Sequence, residues 1–243
     1  IEIGGSVGRS SATAQGMVFC VRRAAAHLGL GLAGATVAVQ GFGNAGSFAA
    51  KLLAEQGCKI MAISDVSGAF TCKAGIDTDA AIAHVAKHKT LAGFDRVRGV
   101  EKMKDALGLL ELPVDILIPA ALENQITSKN AKRVKAKLIA ECANGPCTPE
   151  ADDILEKKRV FVIPDILCNA GGVAVSYLEW VQNRMGYYWR YPRVLRDLED
   201  MMNTAFDTVL ETSLEHDVPL RTAAFVVSIA RVARASELRG LYA

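Results

Sequence analysis

No apolar run in the chain approaches the roughly 20 residues that a membrane-spanning helix needs. Runs such as 160–163 and 223–227 stop after a handful of residues, which argues against a membrane protein. Net charge is almost absent too, with 28 Lys and Arg against 26 Asp and Glu. No basic stripe is interleaved with aromatics, which argues against nucleic acid as a partner. There is no C-x-x-C pair among the six cysteines, Cys20, Cys58, Cys72, Cys142, Cys147 and Cys168. Scattered in or beside apolar stretches, they are expected to be reduced thiols of a cytoplasmic protein, not a disulfide framework or a metal site. No signal-peptide pattern, internal repeat, low-complexity tract or long linker occurs. The chain starts at Ile1, not Met, as expected of a trimmed, cleaved or single-domain piece.

What remains is the composition of a soluble globular protein: 243 residues, 51% hydrophobic and 22% charged. Helical spacing runs over 12–28 through Val18, Val21, Ala25 and Leu28. A β-rich run, 36–40, a helical stretch, 44–56, and a second strand, 59–64, make a β-α-β unit. The alternation continues with a helix at 77–88 and a strand at 114–118. A short helix at 127–134, a strand at 138–140, a helix at 149–158 and a strand at 160–163 follow. Strands that are apolar on both faces and alternate with helices imply a doubly wound, Rossmann-type α/β fold with a parallel sheet. Beyond Gly171 three helical stretches follow without strands, at 173–184, 192–216 and 219–239. The expected organisation is a helical lead-in over 1–28, a dinucleotide-binding core over 29–172 and C-terminal helices over 173–243 that close over the sheet or carry a subunit contact. His84 and His88, four apart on a helix, could grip a metal. No carboxylate or Cys completes the set and Lys87 and Lys89 flank it, so a solvated helix face is expected and no metal.

Directly after the first strand comes Gly41-Phe42-Gly43-Asn44-Ala45-Gly46, a G-x-G-x-x-G loop. Its first Gly permits a tight turn, the second lets backbone approach a pyrophosphate, and the third lets helix pack on strand. Uncapped amides and the helix dipole favour the phosphate charge. Asp65, some 20 residues on, could accept from a ribose 2′-OH and would repel a 2′-phosphate, favouring NAD, with NADP also possible. Its alternative role is to cap the turn 65–68. Asn144 and Asn169 fall just past strand ends, where a fixed amide suits a carboxamide, although Asn144-Gly145 is also an ordinary turn dipeptide.

These residues resemble the coenzyme domain of glutamate dehydrogenases, within the Glu/Leu/Phe/Val dehydrogenase superfamily. The resemblance is carried by Gly4-Gly5-Ser6, the run 37–46, Pro119-Ala120-Ala121-Leu122-Glu123-Asn124 and Ala143-Asn144-Gly145-Pro146. It continues through Asn169-Ala170-Gly171-Gly172-Val173, Val175-Ser176-Tyr177-Leu178-Glu179-Trp180 and Gly186-Tyr187-Tyr188-Trp189. It implies that the loop 41–46 holds the pyrophosphate, that Asp65 lies by the adenosine ribose, and that Ala120 and Ala121 line the coenzyme. Thr13 and Asn144 would bond the nicotinamide carboxamide, and Asn169 would reach the nicotinamide and substrate region. Ser176 would contact the side-chain carboxylate of L-glutamate, with Val173 shaping that pocket. The implied reaction is oxidative deamination of L-glutamate to 2-oxoglutarate and ammonia, by an enzyme that is a homo-hexamer when intact.

Members of the family are understood to draw a catalytic Lys and Asp from a separate N-terminal substrate domain, and no segment here matches the stretches that carry them. No catalytic residue is therefore assigned, and the chain alone is expected to be inactive. A non-catalytic nucleotide-binding module and a dehydrogenase of another amino acid are the alternatives. Departures from the family pattern include Ser11, Ala14, Cys142, Cys147 and Cys168. Cys142 and Ala14 replace glycines, so they either narrow the nicotinamide end or reflect lineage drift.

Overall fold

The computed structural model describes residues 4–240. Residues 1–3 of the lead-in and 241–243 of the C-terminal unit lie outside them. In chain order the elements are α1 (Ala12–His27), β1 (Thr36–Gln40), α2 (Asn44–Glu55), β2 (Lys59–Asp65), β3 (Gly68–Cys72) and α3 (Thr78–His88). Then come β4 (Val100–Lys102), β5 (Ile116–Pro119), β6 (Leu138–Ala140), α4 (Pro149–Lys157), β7 (Phe161–Ile163) and the one-turn α5 (Asp165–Cys168). The long helices α6 (Gly171–Met185), α7 (Tyr191–His216) and α8 (Leu220–Arg239) complete the chain.

The seven strands form one sheet in the order β4-β3-β2-β1-β5-β6-β7. Five of them, from β2 to β7, are parallel. The expected parallel, doubly wound sheet is present, with two further strands added antiparallel at one edge. A two-residue turn pairs Asp65 with Gly68, β3 folds back antiparallel on β2, and β4 pairs antiparallel with β3. The short helix expected over 127–134 is also reduced, to a 3-10 turn at Ala131–Arg133. Ahead of it the Asn130 carboxamide oxygen accepts the Thr127 amide at 2.8 Å, an Asx-type arrangement that competes with helix. The strand expected from Val114 begins at Ile116, because the Asp115 backbone amide turns to the Thr36 side-chain hydroxyl and carbonyl.

The strand interior is apolar on both sides because both sides are covered. Val37, Val39, Ile116, Ile118 and Leu138 face a core shared with α1, α2, α6 and α7. Ala38, Leu117 and Ile139 face the other, built from Leu109, Leu110, Ile126, Ala151 and Leu155. Each buried Val, Ile or Leu among them contributes about 1.5–3 kcal/mol, and truncating fully buried Leu117 to Ala would cost about 2–5 kcal/mol. Helix starts follow local chemistry. Asp77 caps α3 by accepting the Ala80 amide at 3.0 Å, and α4 opens with Thr148 as cap and Pro149 in its first turn.

One helix crossing positions the site. A Cβ on Gly16 would sit 2.7 Å from the Gly171 Cα, and one on Gly171 would sit 2.3 Å from the Ala12 carbonyl oxygen. Glycines at both positions let α1 and α6 touch backbone to backbone, bringing Thr13 beside Gly172, Val173 and Ser176.

Candidate functional site

After β1 the chain runs outward through β2, β3 and β4. After β4 it returns to β5 on the opposite side of β1. Between the carboxyl ends of β1 and β5 lies the switch point where open α/β sheets bind ligands. The loop 41–46 and Ala120-Ala121 both emerge there. They meet closely: a Cβ on Gly41 would lie 2.6 Å from the Ala120 oxygen, and its φ is +90°. Gly46 is packed under the turn, since a Cβ there would come within contact of the Gly41 carbonyl. At Gly43 the situation is reversed. It is the N-cap of α2, with ordinary extended backbone, and nothing stands within 4 Å of where a Cβ would be.

The start of α2 is consequently an open amide cradle. No side chain caps it and no acid lies in its first turn. The Asn44 carboxamide, on the first residue of the helix, donates to the Ser10 carbonyl at 2.8 Å. Exposed amides and the positive end of the dipole suit an anion of phosphate size. Phe42 is buried beneath the loop, and Ala45 packs against the same core.

Asp65 ends β2 and is half-buried. One carboxylate oxygen accepts the Ser67 amide at 2.8 Å and its hydroxyl at 2.5 Å. The other accepts the Leu91 amide at 2.6 Å. The turn-capping role is thus in use, and with about four lone-pair sites on a carboxylate, acceptor capacity remains.

Further along the crevice is a cavity of about 470 Å³ lined by Arg9, Thr13, Ala120, Ala121, Cys142, Ala143, Asn144, Asn169, Gly172, Val173 and Ser176. Seven residues assigned from sequence therefore share one wall system: Thr13, Ala120, Ala121, Asn144, Asn169, Val173 and Ser176. The Asn169 amide donates to the Asn144 oxygen at 2.7 Å. This leaves the Asn144 amide nitrogen to donate and the Asn169 oxygen to accept, side by side. The Ser176 hydroxyl donates to the Gly172 carbonyl at 3.1 Å, back into its own helix.

Arg9 is the residue that sequence reasoning missed. It sits in the loop before α1, where no periodicity marks a position, and it supplies the one formal charge in the lining. Cys142 does line the cavity, but burial pushes its thiol up to about 12, so it is neutral. Ala14 does not line it. Its side chain is buried in the core. A second cleft, of about 460 Å³, opens beside β7 between α4 and α8 and contains none of the sequence-assigned residues.

Two clusters of metal-ligating side-chain types occur among the described residues. The His84 and His88 rings stack 4.5 Å apart, with His84 Nε2 3.0 Å from the Ala92 carbonyl. Glu141, Cys147 and Asp152 also converge, but a guanidinium already occupies their focus, as Arg221 bonds Glu141 at 2.7 Å and Asp152 at 2.8 Å. All six cysteines are free and buried.

Comparison with known proteins places this geometry. The family model for Glutamate/Leucine/Phenylalanine/Valine dehydrogenase matches residues 4–240. The chain belongs to that family. Among curated proteins, a glutamate dehydrogenase of Thermotoga maritima is 45% identical over 243 residues, all of this chain and 58% of the relative. Among solved structures, the hetero-hexameric glutamate dehydrogenase of Thermus thermophilus in its Leu-bound form superposes with a TM-score of 0.92 at 28% identity, over 100% of this chain and 56% of that one. The glutamate dehydrogenase of Peptoniphilus asaccharolyticus gives 0.84 at 39% identity, over 99% and 56%. This dehydrogenase-family chain therefore spans little more than half the length of the relatives it matches.

Proposed function

We propose that this chain is the coenzyme-binding part of an NAD(P)-dependent glutamate dehydrogenase. The observation that carries the reading is the open amide cradle at Gly43, in one crevice with the paired amides of Asn144 and Asn169. A nicotinamide dinucleotide bound there supplies the hydride-accepting group for oxidising an amino acid to its oxo acid. The chain's own residues bind and orient. Amides at the start of α2 hold the diphosphate. The free donor of Asn144 and free acceptor of Asn169 match a primary carboxamide, with Thr13 beside them, and so fix which ring face is presented. Asp65 repels a 2′-phosphate, which favours NAD over NADP.

At the rim, Arg9 supplies positive charge and Ser176 a hydroxyl for a substrate carboxylate, that of L-glutamate or 2-oxoglutarate. Ser176 gives up its bond to Gly172 to donate outward, an exchange of about 1 kcal/mol. Val173, 71% exposed, bounds the same pocket. The described lining contributes binding groups and no carboxylate, ammonium or imidazole, and on this reading the proton transfers of deamination are assigned to groups outside this cavity, with the chain alone proposed to be inactive. That same composition favours a second reading, a non-catalytic nucleotide-binding module. Free thiols throughout suit the reducing cytoplasm, and a homo-hexamer is the proposed assembly of the whole enzyme.

Calorimetric titration with NAD, NADP and ADP tests the reading. NAD should bind more tightly than NADP, and ADP should compete. Absence of binding by all three would remove the coenzyme reading. Glutamate-dependent NADH formation by this chain alone would overturn the assignment of proton transfer to another segment.

A further inference from the structure

We propose that Arg221, on α8, is a positioning residue that sets the Asn144–Asn169 amide pair from behind. The proposal rests on reading the crevice as a dinucleotide site. It assigns to the C-terminal helices a part in presenting the nicotinamide end.

Arg221 lies in the first turn of α8 and lines none of the coenzyme cavity. Its guanidinium nevertheless gathers three carboxylates from three elements. Nη2 donates to Glu141, just past β6, at 2.7 Å, while Nε and Nη2 grip Asp152 of α4 at 2.8 and 3.2 Å. Nη1 donates to Asp165, the first residue of α5, at 3.1 Å. Glu141 is fully buried and in turn accepts the Asp165 backbone amide at 2.8 Å. Asp165 is therefore held through both side chain and backbone.

From Asp165 two short arms reach the cleft. Its second carboxylate oxygen accepts the Gly145 amide at 2.8 Å, fixing the peptide that follows Asn144. Gly145 has φ +53°, a left-handed turn that glycine adopts at no steric cost, and its carbonyl accepts the Asn124 amide at 2.8 Å. The other arm is α5 itself, one turn long, at whose end the Asn169 amide bonds back to the Asp165 carbonyl at 3.0 Å. The two arms meet again where Asn169 donates to Asn144 at 2.7 Å. The loop of bonds around both amides therefore closes on Asp165, the residue that the Arg221 guanidinium anchors.

A fork with several fixed donors can serve three carboxylates at once, whereas an ammonium is a point charge that cannot reproduce the geometry. A plain structural clip holding α8 to the sheet would affect every ligand equally. A positioning role would affect only ligands that reach Asn144 and Asn169.

The experiment compares NAD with ADP-ribose, which keeps the adenosine and diphosphate and lacks the nicotinamide, on the wild type, Arg221→Lys and Arg221→Met. The lysine variant keeps the positive charge among the three acids and guards against simple failure to fold. ADP-ribose binding reports the α2 cradle in each variant. The wild type should prefer NAD. Both variants should lose about tenfold in NAD affinity with ADP-ribose affinity unchanged. Equal wild-type affinities, a parallel loss of both ligands, or no loss in either variant would overturn the role of Arg221. A wild type that binds neither ligand would instead overturn the dinucleotide reading beneath it.

Discussion

Replacing Gly43 by Ala separates the architecture of the glycine loop from its chemistry. The backbone there has φ −77° and ψ −160°, which any residue adopts, and a Cβ would meet nothing within 4 Å. Alanine at an N-cap costs about 0.5–1 kcal/mol relative to better caps. Reduced freedom of the unfolded chain returns about 0.4–1 kcal/mol. The two nearly cancel, so Gly43→Ala should melt within a few degrees of the wild type. Its methyl group, however, stands in the space claimed for the diphosphate, so NAD affinity should fall at least tenfold, or about 1.4 kcal/mol. Gly46→Ala is the counterpart. Its Cβ is driven into the Gly41 carbonyl, a backbone clash that should cost about 1–3 kcal/mol of stability or more, ligand or no ligand. Thermal melts and fluorescence titration with NADH read both quantities. Undiminished binding by Gly43→Ala would refute the cradle, whatever happened at Gly46.

Three further outcomes follow from the structure. Asp115 accepts from Lys137 at 2.8 Å and from the Thr36 amide and hydroxyl at 2.9 and 2.8 Å, and these partners hold its carboxyl down to about 2. Because the folded value lies below the unfolded one, its contribution is complete above about pH 4 and is lost as pH falls toward 2. Solvent screening leaves about 1–2 kcal/mol of it, so the stability difference between wild type and Asp115→Asn should shrink over that window; a constant difference would contradict the assignment. All six thiols should resist a disulfide exchange reagent in the native state and react fully after unfolding in guanidinium, since all are buried and burial pushes Cys142 and Cys20 up to about 12; prompt native labelling would show the core to be open. In the full-length enzyme, Ser176→Ala should raise KM for glutamate about tenfold with the coenzyme KM unmoved, and an equal effect on both would place Ser176 outside the substrate pocket.

Much of the fold is written in local periodicity. The β1–α2–β2 unit and the three C-terminal helices were legible because each is long enough for its apolar spacing to repeat. β3 and β4 were not: Val100–Lys102 has three residues with only its first buried, too few to alternate, and Gly68–Cys72 buries Ala69 and Phe70 side by side instead of alternating. The short helix expected over 127–134 gives way to a tighter turn, where the Asn130 side chain takes the Thr127 amide. The glycine loop could be read residue by residue because each glycine answers a separate steric demand. Asp65 could not be resolved from sequence between ribose contact and turn cap, and its bonds to Ser67 and Leu91 show the second role without using up its capacity. Least legible was the cluster of Glu141, Asp152, Asp165 and Arg221. Four charged residues spread over 80 positions give no pattern until the sheet brings them together. Arg9 was missed for the related reason that a loop before the first helix carries no repeat.

Whether the uncapped start of α2 receives a diphosphate is answered most directly by a crystal structure of the chain with NAD. Diphosphate density is expected against the amides of 43–46, with the carboxamide between Asn144 and Asn169. NAD bound elsewhere, with ordered solvent alone at the cradle, would show that α2 is not the diphosphate site.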